Sequence, residues 1–595
     1  MTESVWISRQ ASRRLNLAEW LTIERAAYGV IAALALGVRL WGLAWQPLSP
    51  AEAAQALPAL AAATGRAYDL ADISPLLFTL QRLLLIPFGA TEALARWWPA
   101  LLGGLSPLLF YALRGRLTRG GALMAALLWA LSPMAVWTSR QGVGNALTPA
   151  LTLALLACLA APRLCSRRLT LAAVALGLLL ASGPAAYTVL LVAVAVLIWQ
   201  RDAAARIWRE VCQGRQDTRS LPGSLLLAAV LALAISSTFF FVAPSGLAAA
   251  ADLLGAWLWA GRPGAGEYGA WDILRRLLLS EPLLLGFGAA GMASLVGGST
   301  LRRNDRFGRF AALAVGVTLL MPVIGVGRHP ADLALVALAL SLLAGPVVAQ
   351  VLRNAWAWRR DLDPWLLASL SAILLFTAAI CLPSAYSTWN NADWRALYTG
   401  VGIVTAALAV LLWLVYGVWG SWDTVVRAWP VVPLLFLLAW SIGQVSGLSY
   451  DRDAGRRAAV VIETPSPNLA EFRSTLRYLA ALKGGGPQAA RVDLVMPAEA
   501  NNRMAAVLRW ELRNYAALRV LGNLPPDPAP IVVTPADLAN APAEHYSGVN
   551  FTVLERWRPE GLKGFTAWLR WLLYREADGG AQKQDAVVWV DRATK

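Results

Sequence analysis

Long apolar runs alternate with short arginine-rich segments over roughly the first three quarters of this chain. An apolar helix of about 20 residues crosses the roughly 30 Å hydrocarbon core of a bilayer. The pattern therefore predicts about thirteen membrane-spanning helices. Their approximate limits are 27–45, 97–113, 121–137, 145–162, 169–182, 185–199, 224–242, 282–297, 310–326, 333–352, 365–382, 400–420 and 430–447.

Two further apolar stretches, 51–64 and 75–88, are too short to cross the bilayer. The second has Arg82 near its middle and prolines at both ends, and about a dozen residues rise too little at 1.5 Å each. Both are predicted to be juxtamembrane helices lying in the membrane interface. Ser74 is expected to cap the second helix, with Pro75 in its first turn.

The arginines give the predicted orientation, since cytoplasmic loops are enriched in them. With residues 1–26 in the cytoplasm, alternate loops of the transmembrane domain, residues 27–448, carry most of its arginines. Residues 449–595 then form an extracytoplasmic domain. The formal net charge of +16 therefore marks one side of a membrane and does not indicate nucleic-acid binding. With 57% hydrophobic and 15% charged residues, the chain is not an ordinary soluble domain.

The apolar runs shorten to strand length after residue 448. Helices are predicted at 468–483 and 503–515, the first with a capping box of Asn468 and Glu471. This pattern predicts a small α/β domain following an all-α polytopic membrane domain. The predicted strands are AAVVIET, RVDLVMP, IVVTP, NFTVLERW and DAVVWV.

The loops predicted to lie outside contain both carboxylates and arginines. A carboxylate can act as general base on a hydroxyl, and a planar guanidinium can hold a phosphate; ordinary solvated loop charges are the alternative. A coupled transporter would need carboxylates near the bilayer midplane, which the spans lack. Four cysteines and two histidines fit neither a disulfide framework nor a zinc site, so no metal site is predicted. The candidate residues are Glu52, Asp69, Asp72, Arg82, Arg96, Arg140, Asp252, Asp272, Arg275, Arg276, Arg328, His329 and Asp332.

Several segments together resemble a known family of membrane proteins. They include LWGLAWQPLSPAEAAQA, SPLLFTLQRLLLIPFGATEALARWWPALLGG, ALLWALSPMAVWTSRQGVGNALTPALTLAL and, less closely, GRHPADLALVALALSLLAG. They are similar to the membrane-embedded glycosyltransferases of the C-type fold, family 39, which includes protein O-mannosyltransferases and lipid A aminoarabinose transferases. The C-terminal segments LRWELRNYAALRV, PIVVTP, ERWRPEG and DAVVWVDR resemble the outer domain of prokaryotic relatives described as flippase-associated.

The resemblance implies roles for particular residues. In the family an Asp-Glu pair follows the first span, and its Asp activates the acceptor; here the pair falls on Ala51 and Glu52, so only the Glu matches. Glu52 is expected to be the base or an orienting carboxylate, with Asp69 or Asp72 as substitutes. Arg96 and Arg140 match positions that would hold the donor phosphate. Arg328 and His329 are added as candidate donor or acceptor contacts.

The expected function is transfer of a sugar from a polyprenyl-phosphate donor to a hydroxyl of a lipid, glycan or protein at the outer face of a prokaryotic cell membrane. The lipid-linked sugar is then a co-substrate, no cofactor is expected, and a divalent metal is left open. Membrane lipid and the polyprenyl-phosphate sugar are the expected partners. The alternative is a catalytically impaired protein that binds lipid-linked sugars and assists another enzyme or a flippase.

Overall fold

A computed structural model gives the fold of most of the chain. It describes residues 22–160, 165–201, 220–259, 269–296, 305–325, 329–357, 362–387, 392–450, 463–496, 502–538, 542–557, 564, 567–568, 571 and 581–592. Most of the predicted cytoplasmic N-terminus and the candidate Arg328 lie outside these residues.

The membrane domain consists of helices joined by short connections. A 3₁₀ turn links α4 to α5, and a π-helical segment, Tyr416–Gly420, follows α18. The helices are α1 (Ile23–Leu40), α2 (Pro50–Ala63), α3 (Pro75–Phe88), α4 (Glu92–Leu105), α5 (Phe110–Leu117), α6 (Arg119–Leu131), α7 (Pro133–Ser139), α8 (Thr148–Leu159), α9 (Ser166–Leu180), α10 (Ala185–Trp199), α11 (Ser220–Ser237), α12 (Ser245–Trp259), α13 (Ala270–Ser280), α14 (Pro282–Val296), α15 (Asp305–Ile324), α16 (Leu333–Ala357), α17 (Leu362–Ser387), α18 (Ala392–Val415), α19 (Trp422–Ala428) and α20 (Val431–Ser449).

The described helices make this a multi-pass membrane protein. Five segments are long and apolar enough to span a bilayer, and two bent pairs, α6 with α7 and α13 with α14, raise that number to seven. The count of thirteen spans stays a prediction. The five segments are Arg306–Ile324, Pro330–Ala357, Leu362–Leu382, Ala392–Gly420 and Val431–Ser449.

The run predicted as one span at 121–137 is broken. Pro133 has no backbone N–H with which to continue α6, and the Ser132 hydroxyl accepts a hydrogen bond from the Ala135 N–H at the start of α7, so the two helices meet at 59°. Glu281 lies at the other break, where α13 and α14 meet at 95°. Its fully buried carboxylate accepts hydrogen bonds from Ser132 Oγ (2.5 Å) and the Met134 N–H (2.7 Å). Glu281 therefore braces one broken pair against the other.

The helices α2 and α3 occupy the two segments predicted to lie in the interface. Ser74 caps α3 as predicted, since its hydroxyl accepts from the Leu77 N–H at 3.2 Å. The Gln55 side chain ties the two helices together, because it accepts from the Ser74 N–H (2.8 Å) and donates to the Ser74 carbonyl (3.1 Å).

The C-terminal domain contains a six-stranded mixed sheet. The strand order is β1-β5-β6-β4-β2-β3, in which β4, β2 and β3 are parallel and the remaining pairs are antiparallel. This confirms the predicted sheet-containing domain. Its elements are β1 (Glu463–Pro465), α21 (Leu469–Gly484), β2 (Arg491–Val495), α22 (Asn502–Glu511), β3 (Ala517–Leu521), β4 (Ile531–Pro535), β5 (Tyr546–Arg556) and β6 (Gln582–Asp591).

One strand of this domain was not predicted, and one local prediction is wrong. The strand β3 was not anticipated, because its short run ALRVL follows helix-forming residues without a turn signal. The capping box at Asn468 does not form, because that residue itself has a helical backbone and its side chain makes no capping hydrogen bond.

The C-terminal domain docks on the juxtamembrane helices. Leu48, Ala53 and Ala95 of the membrane domain share one apolar cluster with Phe472 and Trp510, and burial of such side chains stabilises the contact. Beside this cluster, Glu92 at the start of α4 accepts hydrogen bonds from two arginines of the C-terminal domain. These are Arg473 (3.0 Å) and Arg513 (3.2 Å). These apolar contacts and ion pairs hold the C-terminal domain against the membrane domain.

Candidate functional site

A cavity of about 850 Å³ lies between the two domains. On the membrane side its lining comes from the loop after α1, the first turn of α2, the segment after α7 and the residues before α16. On the other side it comes from β1, the first turns of α21 and one face of α22. Cavities of this size at domain interfaces are common ligand sites. We call it the interdomain cavity.

Glu52 and Arg96 both line the interdomain cavity and form a buried ion pair there. The guanidinium binds both carboxylate oxygens, with Nε 2.6 Å from Oε1 and Nη2 2.7 Å from Oε2. Oε1 also accepts from the Gly142 N–H (2.7 Å), and Oε2 from the Ser49 N–H (2.8 Å). The residue Glu52 is only 1% exposed, so its carboxylate is already fully engaged by protein donors.

The Arg96 guanidinium is satisfied as well. It has five N–H groups, of which two bind Glu52. The other three donate to the carbonyl oxygens of Leu43, Gln46 and Pro47 at 2.8 to 2.9 Å. The ion pair therefore fastens the loop between α1 and α2 to the start of α4.

The Glu52 carboxylate has a lowered pKa. Burial alone would raise the pKa, but the charge of Arg96 and the hydrogen bonds from Arg96, Gly142 and Ser49 together lower it below the usual value. A general base gains from a pKa near the operating pH. The Glu52 carboxylate already accepts four hydrogen bonds from the protein, and its pKa is lowered. Both observations favour an orienting role for Glu52 over the role of base.

Arg140 is buried at the end of α7, where it caps the C-terminal end of α1. Its guanidinium also lies over the Tyr450 ring, 4.8 Å from the centroid. Carbonyls at a helix C-terminus lack partners within the helix, and a cation is favourable there. The guanidinium donates to the carbonyl oxygens of Val38, Arg39, Trp41, Gly42 and Ser449, at 2.6 to 3.4 Å.

The two aspartates of the first loop differ in position. Asp72 lines the interdomain cavity together with Glu52. Asp69 is exposed, is not part of that lining, and accepts from the Ala71 N–H in a local turn (3.1 Å). Asp72 has a left-handed backbone, φ 59°, which is uncommon outside glycine but tolerated by Asp and Asn. Such conformations cluster at functional sites.

His329 also lines the cavity. Burial lowers the pKa of its imidazole to about 4, and the nearby charge of Arg276 acts in the same direction. The ring is therefore neutral near pH 7. Its Nδ1 accepts a hydrogen bond from the Ala331 N–H (3.1 Å), which assigns the single proton to Nε2. His329 thus brings a neutral N–H donor to the site.

Sequence reasoning missed the contribution of the C-terminal domain to this site. Arg473 and Arg503 line the cavity, with side chains 32% and 45% exposed against 6% for Arg96. Arg473 binds Glu511 and Glu92, and Arg503 pairs with Glu463 at 3.1 Å. No local motif marks these residues, because they reach the cavity only through docking of the two domains.

The described residues contain no group of three or more His, Cys, Asp or Glu side chains placed to hold a metal ion. Cys158, Cys165 and Cys381 are free thiols, and Cys212 lies outside the described residues. The expectation that the protein has no metal site stays a prediction.

The fold is that of the C-type membrane glycosyltransferases, as the sequence resemblance predicts. It is similar to ArnT from Cupriavidus metallidurans bound to undecaprenyl phosphate, with a TM-score of 0.54 and 15% identity over 94% of this chain and 97% of ArnT. The same ArnT in the apo state gives a TM-score of 0.55, also at 15% identity over 94% and 97% of the two chains.

In sequence, residues 72–214 match the family described as dolichyl-phosphate-mannose-protein mannosyltransferase. This match begins at Asp72 and includes Arg96 and Arg140. No curated protein matches the chain in sequence.

Proposed function

We propose that the protein is a membrane glycosyltransferase that transfers a sugar from a polyprenyl-phosphate donor to a hydroxyl acceptor in the interdomain cavity, at the extracytoplasmic face. The proposal rests on one observation. In a fold shared with ArnT, a cavity of about 850 Å³ is lined by the Asp72 carboxylate, the neutral His329 and two partly exposed arginines. The ArnT structure with undecaprenyl phosphate supports the class of donor. The lipid-linked sugar is the co-substrate, and the proposal assigns no further cofactor.

Asp72 is proposed as the general base. The acceptor oxygen attacks the anomeric carbon of the sugar, and its proton passes to the Asp72 carboxylate. The bond between the anomeric carbon and the phosphate oxygen breaks, so the polyprenyl phosphate leaves with the electron pair. Of the first-loop carboxylates, Asp72 lines the cavity and, within the described residues, is engaged by no other side chain, whereas Glu52 accepts four hydrogen bonds.

The negative charge that develops on the leaving phosphate needs cationic or N–H donors. Arg503 is the more accessible of the two cavity arginines from the C-terminal domain, and the His329 Nε2–H adds a neutral donor. Arg96 and Arg140 are proposed to position the first loop, since their donors bind backbone carbonyls and, for Arg96, Glu52. This revises the phosphate-holding role expected for them.

An assay of the purified full chain in nanodiscs tests the proposal. The protein is given polyprenyl phosphates carrying radiolabelled hexoses or pentoses, with a membrane extract as the source of acceptors. We expect label to pass from the lipid to a chemically distinct product, and heat-denatured protein to give none. Tight binding of a labelled donor with no transfer to any acceptor would contradict the enzymatic proposal.

A binding role is the second candidate, and one observation favours it. Ala51 stands where the resemblance places the acceptor-activating Asp, and the adjacent Glu52 is held in a saturated ion pair. The protein would then present a lipid-linked sugar to another enzyme or to a flippase. In the same assay, this role predicts saturable donor binding without release of polyprenyl phosphate.

A further inference from the structure

Arg82 lies outside the interdomain cavity and outside the reaction proposed there. It projects from α3 toward the turn between α11 and α12, where its guanidinium carbon is 4.1 Å from the centroid of the Phe239 ring. Its Nε and Nη1 atoms are both buried, and neither has a hydrogen-bond partner among the described residues. No carboxylate in the described part of the chain pairs with it.

Arg82 as a residue is half-buried, but buried N–H donors without an acceptor are costly, because they lose water and gain no hydrogen bond in return. In membrane proteins such charges usually pair with another group. The stacking on Phe239 contributes about 0.5–2 kcal/mol but occupies none of the N–H donors. The described residues therefore leave Arg82 without an oxygen acceptor or an anion.

The turn that holds Phe239 is strained. Phe239, Phe240 and Phe241 all have left-handed backbones, with φ of 48°, 58° and 68°, which is a marked departure for bulky residues. The turn is held by hydrogen bonds, among them one from the Phe241 N–H to Thr238 Oγ1 (2.8 Å). Strain of this kind persists only where its surroundings enforce it. Here the strained turn holds the Phe239 ring against the Arg82 guanidinium.

The surroundings of Arg82 are those of a membrane interface. On α3, Ile86 and Phe88 are 55% and 68% exposed, and in the turn Phe240 and Phe241 are 56% and 63% exposed. Large apolar side chains exposed around a guanidinium are typical of the boundary between acyl chains and headgroups. The helix α3 is hydrogen-bonded to α2 through Gln55 and Ser74, and α2 packs against the C-terminal domain. We therefore expect this patch on the side of the membrane that carries that domain.

We propose that Arg82 and the Phe239 turn form a binding site for the phosphate headgroup of an anionic phospholipid in the leaflet next to the C-terminal domain. The Nη2 group of Arg82, which is not enclosed like Nε and Nη1, donates to a phosphate oxygen, and the guanidinium supplies the positive charge that pairs with the phosphate. The exposed phenylalanines contact the acyl chains. The bound lipid supplies the anion that the described residues do not.

Native mass spectrometry of the full chain, released from bilayers containing phosphatidylglycerol, tests this site. We expect the apparent affinity for one phosphatidylglycerol to fall about tenfold in Arg82→Gln, and Arg82→Lys to lie in between. The matched control is Arg66→Gln, which removes an exposed arginine from the loop between α2 and α3 and should bind like the unchanged protein. Phe239→Leu keeps the charge of Arg82 and should also weaken binding of phosphatidylglycerol. This second variant tests the site even if Arg82→Gln does not fold.

Equal phosphatidylglycerol binding by the unchanged protein and the Arg82 and Phe239 variants would overturn the proposal. A second arm uses inorganic phosphate in lipid-free detergent. If it raises the unfolding temperature in an Arg82-dependent way and displaces the retained lipid, the site takes free phosphate and the lipid proposal is wrong. Neither arm requires sugar transfer, so this site and the proposed function succeed or fail separately.

Discussion

Glu52→Gln is expected to lower the stability of the protein by about 3–5 kcal/mol, because it leaves the buried Arg96 guanidinium without its anion. The two guanidinium contacts to the carboxylate, at 2.6 and 2.7 Å, lie between side chains that are 6% and 1% exposed. Thermal unfolding in one detergent measures the effect. Asp69→Asn, which removes an exposed carboxylate from the same loop, is the control and should change the unfolding temperature little.

Replacing both partners distinguishes a charge effect from a loss of shape. In Glu52→Gln with Arg96→Met no unpaired charge remains, so we expect part of the lost stability to return. An additive double variant would show that the two groups act separately, contrary to the geometry described above.

The same ion pair predicts how stability depends on pH. The folded pKa of Glu52 lies below its unfolded value, so its contribution is complete above the unfolded pKa and is lost as the pH falls through the folded one. Unfolding temperatures measured from neutral to acidic pH should therefore converge for the unchanged protein and Glu52→Gln. A constant difference across that range would contradict the assigned pKa direction.

Asp72→Asn is expected to slow sugar transfer by about 10²–10⁴-fold, the usual contribution of a general base. Asparagine tolerates the left-handed backbone at this position, so the variant should fold and bind the donor as before. Transfer of labelled sugar is compared with that of Asp69→Asn, which should transfer normally. If Asp72→Asn transfers at the unchanged rate while a folded Glu52→Gln does not, Glu52 is the base after all.

Much of the fold could be predicted because its signals are local. The juxtamembrane helix α3 follows from Ser74, Pro75 and the short apolar run, and the strand β4 follows from the run IVVTP between turn residues. The break at Ser132 and Pro133 was not predicted, because the residues on both sides of it are apolar and have the pattern of one continuous span.

The site itself depends on contacts between distant parts of the chain. Sequence placed Arg140 in a loop among phosphate-binding candidates, but could not show that the carbonyl at Arg39, about 100 positions earlier, would accept its N–H. The approach of Arg503 to the cavity likewise depends on how α22 docks against α2. Charge and spacing identified the residues of this region, whereas their partners required the fold.

Photocrosslinking from within the interdomain cavity tests whether the sugar donor binds there. A photoreactive phenylalanine derivative replaces Ala470, which lines the cavity at the start of α21, or Leu482, which is 59% exposed near the end of the same helix. We expect light-dependent attachment of a radiolabelled polyprenyl-phosphate sugar at position 470, suppressed by unlabelled donor, and none at position 482. Equal labelling from both positions, or none from position 470, would contradict a donor site in this cavity.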